Sequence, residues 1–333
     1  MNTRNNISRI EEAKMKVHEK LNANDKTIQR HDSKMQSTIG TMDVGPVNFK
    51  AKISEHEGDI MAVATKDVVT VPPTTTIMGA IKTMTSKGFR RVPITDAGTN
   101  RLEGVVTSVD IIDFLGGGSK NLLVEKKFKG NLLAAINADV KEIMRHNVSH
   151  LRENSNISDA LKMMSEEKTG GLPILSEDGR VLAICTEKDF VKLVAGIHAN
   201  KSVGEYMSKK VKTAQADTSI FNAAKIMVNE GFRRLPVVTD SILIGVVTAS
   251  DIMNFMGSGD AFNKLVTGNI HEAFDAPISS LISKDVVWAS SDLDIGEAAA
   301  IMIEKNVGSI PIIDDGVLCG IITERDILRS ITE

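Results

Sequence analysis

The segment GFRRVPITD at Gly88–Asp96, followed by GVVTSVDIIDF at Gly104–Phe114, decides the fold because the chain repeats it. GFRRLPVVTD at Gly231–Asp240 and GVVTASDIMNF at Gly245–Phe255 are a near-copy. Weaker copies lie between and after these two, with LPIL at Leu172–Leu175 and AICTEKDF at Ala183–Phe190, then IPII at Ile310–Ile313 and GIITERDI at Gly320–Ile327. Self-similarity of this kind marks a repeat architecture, here of four units. The first unit resembles the third and the second resembles the fourth: Pro93 maps to Pro236, Asp110 to Asp251, Pro173 to Pro311 and Asp189 to Asp326. The linkers correspond too, Gly116, Gly118, Gly130 and Asn131 matching Gly257, Gly259, Gly268 and Asn269. A two-unit module has been duplicated.

Each unit carries the same local pattern. Apolar residues at i, i+3, i+4 and i+7 predict a first helix: Ile77, Ala80, Ile81, Met84; Ile157, Ala160, Leu161, Met164; Ile220, Ala223, Ala224, Met227; Ile295, Ala298, Ala299, Met302. A Ser, Thr or Asp just before each helix suits an N-cap. Two β-branched runs follow, such as Val92–Thr95 and Val105–Thr107, and then a second helix, as over Ser108–Leu115. Short strands in front (Val68–Val71, Val211–Thr213, Val286–Trp288) complete a β-α-β-β-α unit. The class is α/β, and the units are expected in pairs because one alone leaves an apolar sheet face unburied.

Composition narrows the function. With 333 residues the chain has room for roughly two domains, which are the two modules. One Trp and one Tyr, within 4% aromatics, disfavour a stacking platform for single-stranded nucleic acid. A net charge of -3 argues against a surface built for a duplex or an anionic membrane, so an anionic ligand must be held by local basic groups. No run approaches the roughly 20 apolar residues of a spanning helix, and MNTRNNISRIEEAK lacks the apolar core of a signal peptide. Cys185 and Cys319, each in an apolar run, read as buried thiols of a cytoplasmic protein rather than a disulfide. The seven histidines are scattered, no zinc-site spacing or G-x-S-x-G elbow occurs, and GGGSK at Gly116–Lys120 lacks phosphate-loop spacing and reads as a helix cap plus linker. Neither a metal site nor an enzyme is expected. Before the repeats, Ile7, Ile10, Val17 and Leu21 make a partial apolar stripe, read either as a frayed helix in a flexible leader or as an amphipathic helix for a partner.

The strand-borne proline, the G-V/I-V/I-T strand and the T-x-x-D helix start, recurring in order four times, resemble the CBS (cystathionine β-synthase) domain. Four copies look like two tandem Bateman modules, as in the similar γ subunits of AMP-activated protein kinase. The resemblance covers about residues 57 to 333. It implies an N-terminal extension over 1–56, CBS repeats over 57–118, 139–198, 199–257 and 277–333, and linkers over 119–138 and 258–276.

The T-x-x-D pairs are Thr107 with Asp110, Thr186 with Asp189, Thr248 with Asp251, and Thr323 with Asp326. By themselves they read as helix caps whose acid complements the dipole. In CBS domains the same motif is where the ribose of an adenosyl ligand sits, and a carboxylate has the paired acceptor oxygens for two hydroxyls. Arg90 and Arg91, and Arg233 and Arg234, precede the strand proline in the odd units. They are expected on phosphate, which guanidinium forks match bidentately, and the resemblance implies the same. The even units have Gly170 and Gly171, and Gly308 and Ser309, in those places. These small residues serve either close packing or room for a base. A strand-edge residue of the opening strand usually contacts the base in CBS domains, and the candidates the resemblance implies here are Thr70, Thr213 and Trp288, the last of which is either a base contact or core. The expected ligand is therefore an adenine nucleotide (AMP, ADP or ATP), bound by a non-catalytic sensor that signals energy state to a protein partner or associates with itself, without nucleic acid or membrane. The alternatives are S-adenosylmethionine as ligand, which leaves the arginines idle, and a ligand-free scaffold for a partner enzyme.

Overall fold

The computed structural model describes residues 58–116, 118–240, 242–282 and 285–332. The N-terminal extension and its stripe at Ile7, Ile10, Val17 and Leu21 lie outside them. In the first unit, Thr76 accepts a hydrogen bond from Gly79 N–H and caps helix α1 (Ile77–Lys87), which Gly88 ends in the left-handed region at φ 67°. Strand β1 (Arg91–Thr95) pairs antiparallel with β2 (Leu102–Thr107), Pro93 opposite Val105, and helix α2 (Ser108–Gly116) follows directly. The second unit runs β3 (Leu151–Arg152), α3 (Ile157–Glu166), β4 (Gly171–Leu175), β5 (Val181–Thr186) and α4 (Glu187–Val194). The third runs β6 (Ala214–Gln215), α5 (Ile220–Glu230), β7 (Arg234–Thr239), β8 (Ile242–Thr248) and α6 (Ala249–Gly257). The fourth runs α7 (Ile295–Glu304), β9 (Ser309–Asp314), β10 (Val317–Thr323) and α8 (Glu324–Thr332).

The helical stripe read from the sequence is buried in all four units, from Ile77, Ala80, Ile81 and Met84 to Ile295, Ala298, Ala299 and Met302. Asn156 caps α3, a residue type absent from the Ser, Thr and Asp expected there. The opening strands are shorter than the β-branched runs suggest. Of Val68–Val71 only Val71 forms a bridge, parallel to Ile94; β6 begins after Thr213, and Ala289 bridges Ile312 in place of a strand over Val286–Trp288. Pro72 and Pro73 have no N–H with which to carry a ladder onward, and the preceding chain turns to the partner unit, where Thr65 bridges Ile184.

Bridges of this kind join the units within a module: Thr65 to Ile184 and Val105 to Arg145 in the first, Ser208 to Ile321 in the second. Helices join the modules, α2 packing on α5, α6 on α1, and α4 on both α7 and α8. The core divides accordingly, with units one and three sharing one apolar cluster and units two and four, joined by Ile60, the other. The units thus close a ring in the order one, two, four, three. A Cβ at Gly116 would run into the Ala224 methyl, so its absence is what lets α2 approach α5. The matched linkers meet reciprocally: Leu132 N–H donates to Gly268 O at 2.9 Å and Ile270 N–H to Gly130 O at 3.1 Å. Such pairing of equivalent surfaces is the signature of two-fold association, here inside one chain.

Candidate ligand-binding site

Every T-x-x-D begins at the end of a unit's last strand and places its aspartate in the first turn of the next helix. The threonine N–H and hydroxyl both donate to one carboxylate oxygen. For Asp110 Oδ2 these distances are 2.9 and 2.5 Å; for Asp189, 2.9 and 2.8 Å; for Asp251, 2.7 and 2.7 Å; for Asp326, 2.9 and 2.7 Å. The capping reading is therefore observed, and it consumes only Oδ2.

At Oδ1 the four units part. Asp110 Oδ1 accepts from Lys120 Nζ at 2.5 Å and Arg145 Nε at 2.7 Å. Asp189 Oδ1 accepts from Lys192, one turn along its own helix, at 3.1 Å, and Asp326 Oδ1 lies 3.8 Å from Arg329 Nη2. Asp251 Oδ1 has no hydrogen-bond or ion-pair partner among the described residues. Titration follows these contacts. Burial pushes the Asp251 and Asp326 carboxyls above the ordinary aspartate value; it pushes Asp110 up as well, but Lys120, Thr107 and Arg145 outweigh it and hold Asp110 below.

The paired arginines separate into two kinds of contact. Arg90 of the first unit donates through both Nη atoms to Glu324 of the fourth, Nη2 to Oε1 at 3.2 Å. Arg233 of the third donates to Glu187 of the second at 3.0 Å, and Arg325 takes the other Glu187 oxygen at 3.0 Å. In the ring these pairs are the diagonals. Arg91 and Arg234 instead stay within their modules, donating to the carbonyls of Gly171 (2.8 Å) and Gly308. Both glutamates are 3% exposed. Burial first, then the neighbouring guanidinium groups, push Arg91 down to about 10 and Arg234 to about 9. Both remain charged at neutral pH, so four arginines facing Glu187 and Glu324 leave the centre cationic.

The small residues of the even units are the seats of these arginines. A Cβ on Gly171 would stand 2.5 Å from Arg91 Nη1, one on Gly170 2.9 Å from Arg91 Nη2, and one on Gly308 3.0 Å from Arg90 Cζ. The close packing is of guanidinium on backbone.

One cavity of about 680 Å³ opens at this centre. Its walls include Arg90, Arg91, Arg233, Arg234 and Glu324, together with Thr186, Asp189, Thr248 and Asp251. Thr65, Val68 and Val69 line it beside Asp189; Val286 and Val287, with Gly170, Gly308 and Ser309, complete the lining. Thr107 with Asp110, Thr323 with Asp326, and Thr70, Thr213, Gly171 and Trp288 lie outside that lining. Trp288 is half-buried, and its Nε1 is a buried donor without a hydrogen-bond partner among the described residues. Sequence reasoning missed Glu187, Glu324 and Arg325. A signal existed: the even units read T-E-K-D and T-E-R-D where the odd units read T-S-V-D and T-A-S-D, so the acid appears where the arginine pair does not. Cys185 and Cys319 are both free thiols, Cys319 only half-buried. Among the described residues, no cluster of three or more His, Cys, Asp or Glu is placed to hold a metal. No helix among them is long and apolar enough to cross a membrane.

Relatives share this architecture. Protein MJ1225 of Methanocaldococcus jannaschii, of uncharacterised function, is 38% identical over 273 residues, spanning 81% of this chain and 98% of the relative. Its crystal structure, described there as a proposed archaeal homologue of γ-AMPK, superposes with a TM-score of 0.77 and covers the same shares of both chains at 37% identity. An uncharacterised 33.4 kDa protein from the ribosomal RNA operon of Thermofilum pendens is 29% identical over 78% of this chain and 87% of its own length. A conserved protein of Pyrococcus horikoshii, 18% identical, shares the fold at a TM-score of 0.52 over 81% of this chain and 97% of its own. The CBS domain matches at residues 58–117, 140–196, 203–258 and 278–333. Four such matches, taking up most of the chain and coinciding with four observed α-β-β-α units, the second and third led by a short strand and the first and fourth by a single bridge, make the protein a member of the CBS-domain family.

Proposed function

We propose that the protein is a non-catalytic regulatory protein that binds adenine nucleotides (AMP, ADP or ATP) and passes their occupancy to a protein partner through a change in how its modules are held. The observation that carries this reading is the single cavity into which two T-x-x-D carboxylates and four arginines converge. Its 680 Å³ lies within the roughly 300–1,000 Å³ of small-molecule sites. Asp189 and Asp251 take ribose hydroxyls on the oxygen that helix capping leaves over, and Asp326 does the same in its own cleft. Arg90, Arg91, Arg233 and Arg234 receive the phosphates, and the base lies against the extended backbone at Val68–Thr70 and Val286–Trp288 or over Gly308 and Ser309. The signal follows from competition. A phosphate that draws Arg90 or Arg233 toward itself withdraws it from Glu324 or Glu187, and the ring's diagonals loosen. An equilibrium moves only by a ligand's differential affinity for the two arrangements.

A second reading has its own support. Arg90 and Arg233 already have buried carboxylate partners, which suits structural arginines and a phosphate-free ligand such as S-adenosylmethionine. Calorimetric titration of the full chain with AMP, ADP, ATP, adenosine and S-adenosylmethionine separates the two. Preference for the phosphorylated ligands supports the nucleotide reading; tightest binding of S-adenosylmethionine, or no binding of any at millimolar concentration, overturns it.

A further inference from the structure

We propose that Lys120 closes the Asp110 cleft from inside the chain, so that the first unit's T-x-x-D is a self-occupied site and Lys120 sets how many ligands the protein takes. The inference rests on the reading of the T-x-x-D carboxylates as ribose acceptors.

The four carboxylates are equivalent at Oδ2 and differ only at Oδ1. In the even units the cation at Oδ1 comes from three residues on along the same helix, Lys192 or Arg329, and these side chains are about half exposed. Such a group leaves its aspartate by rotating into water. In the odd units that helical position holds Asp113 or Asn254, which offers no cation. Asp251 accordingly keeps Oδ1 unpartnered among the described residues and faces the central cavity. Asp110, its duplicate in the first module, does neither.

The cation at Asp110 comes from elsewhere in the chain and is anchored at two points. Lys120 Nζ donates to Asp110 Oδ1 at 2.5 Å and to the carbonyl of Ile143 at 2.6 Å, and its side chain is 23% exposed. Arg145 Nε reaches the same carboxylate oxygen from the start of the second unit, on a segment fixed by the Val105–Arg145 bridge. With Thr107 on Oδ2, the Asp110 carboxylate has donors on both oxygens and is 1% exposed. An ammonium held between a carboxylate and a carbonyl occupies the acceptor that ribose hydroxyls require.

The duplication shows that this closure belongs to one module only. Counted from the T-x-x-D aspartate, Lys120 corresponds to Ala261; counted from the matched linker glycines Gly130 and Gly268, Arg145 corresponds to Ser283. Neither replacement carries a charge. A linker that matches its duplicate at its glycines departs from it at the residue that decides whether the neighbouring carboxylate is available.

The test counts sites by calorimetry with AMP as the probe, on the full chain. Asp110→Asn is expected to bind as many AMP molecules as the wild type, and Asp251→Asn one fewer. Lys120→Met combined with Arg145→Met, which keeps apolar stems and removes both charges, is expected to gain one. Loss of a site in Asp110→Asn overturns the proposal. So does an unchanged count in the double variant, once its unfolding transition shows that it is folded; should it fail to fold, the Asp110→Asn count decides alone. A wild type that binds no AMP is a different result: it overturns the ribose reading itself and this inference with it.

Discussion

Arg90 and Glu324, 234 positions apart in the chain, form a two-pronged ion pair across the centre of the ring, and Arg233 with Glu187 forms the other diagonal. Adjacent units are held by sheet bridges or by helix packing, whereas these pairs link units that share no strand bridge among the described residues. They also engage two of the four guanidinium groups that line the central cavity. On the proposed function, the same atoms that brace the ring are those for which a phosphate would compete.

Removing the carboxylates therefore has opposite effects on stability and on binding. Glu324→Gln and Glu187→Gln each destabilise by about 1–3 kcal/mol, since a charged hydrogen-bonded pair is lost from a nearly buried acid. Both strengthen binding of AMP relative to adenosine, because the freed arginine no longer has to be drawn from a carboxylate. Thermal unfolding together with calorimetry on each variant checks both directions at once.

Gly171 has no room for a methyl group. Gly171→Ala sets a Cβ against Arg91 and the carbonyl of Cys185, 3.0 Å away; the overpacking costs about 1–3 kcal/mol and displaces Arg91 from its seat. Weaker AMP binding, with adenosine binding held, is the expected calorimetric result.

The contact of α2 with α5 makes a reciprocal prediction. Gly116→Ala forces its methyl into Ala224 and lowers stability by about 1–3 kcal/mol, and Ala224→Gly in the same chain recovers part of that loss. Denaturant unfolding of the double-mutant cycle measures the coupling, which independent sites do not show.

Acid acts on Glu187 and Asp251 with opposite sign. Burial pushes Glu187 up, but Arg233 and Arg325 outweigh it, so its folded value lies below the ordinary glutamate value of about 4.3. A depressed carboxylate contributes stability in full above its unfolded value and loses it as pH falls through the folded one. Stability measured by urea unfolding falls below about pH 4.3, and Glu187→Gln flattens that part of the profile. Asp251 is raised by burial, so its ionised form opposes folding at neutral pH. Asp251→Asn, which keeps an acceptor for Thr248, raises the unfolding midpoint at pH 7 while removing a ligand site.

Much of this was legible beforehand, and for a local reason. Capping, apolar periodicity and strand alternation involve neighbours in sequence, so Thr107 with Asp110, the stripe from Ile77 to Met84 and the turn between β1 and β2 could be read directly. What joins distant parts could not. That Arg91 lies on Gly171 was half visible, since arginine pairs and small residues occupy the same strand position in alternate units, yet only the ring order brings them face to face. The opening strands read too long because β-branched residues signal extended chain whether or not a ladder partner exists, and Val68 and Val69 line a cavity wall instead. Lys120 gave no signal in its glycine-rich linker; its role exists only because Ile143 and Asp110 converge there.

The central claim is that the cavity takes phosphorylated adenosine between the T-x-x-D carboxylates and the four arginines. The ratio of AMP to adenosine affinity, measured by calorimetry on the wild type and on the Arg90→Ala, Arg233→Ala double variant, tests it most directly. The account predicts AMP favoured by about tenfold or more in the wild type, equivalent to ~1.4 kcal/mol, and a ratio falling toward one in the variant. Equal affinities in the wild type, or a preference for AMP that survives loss of both arginines, contradicts it.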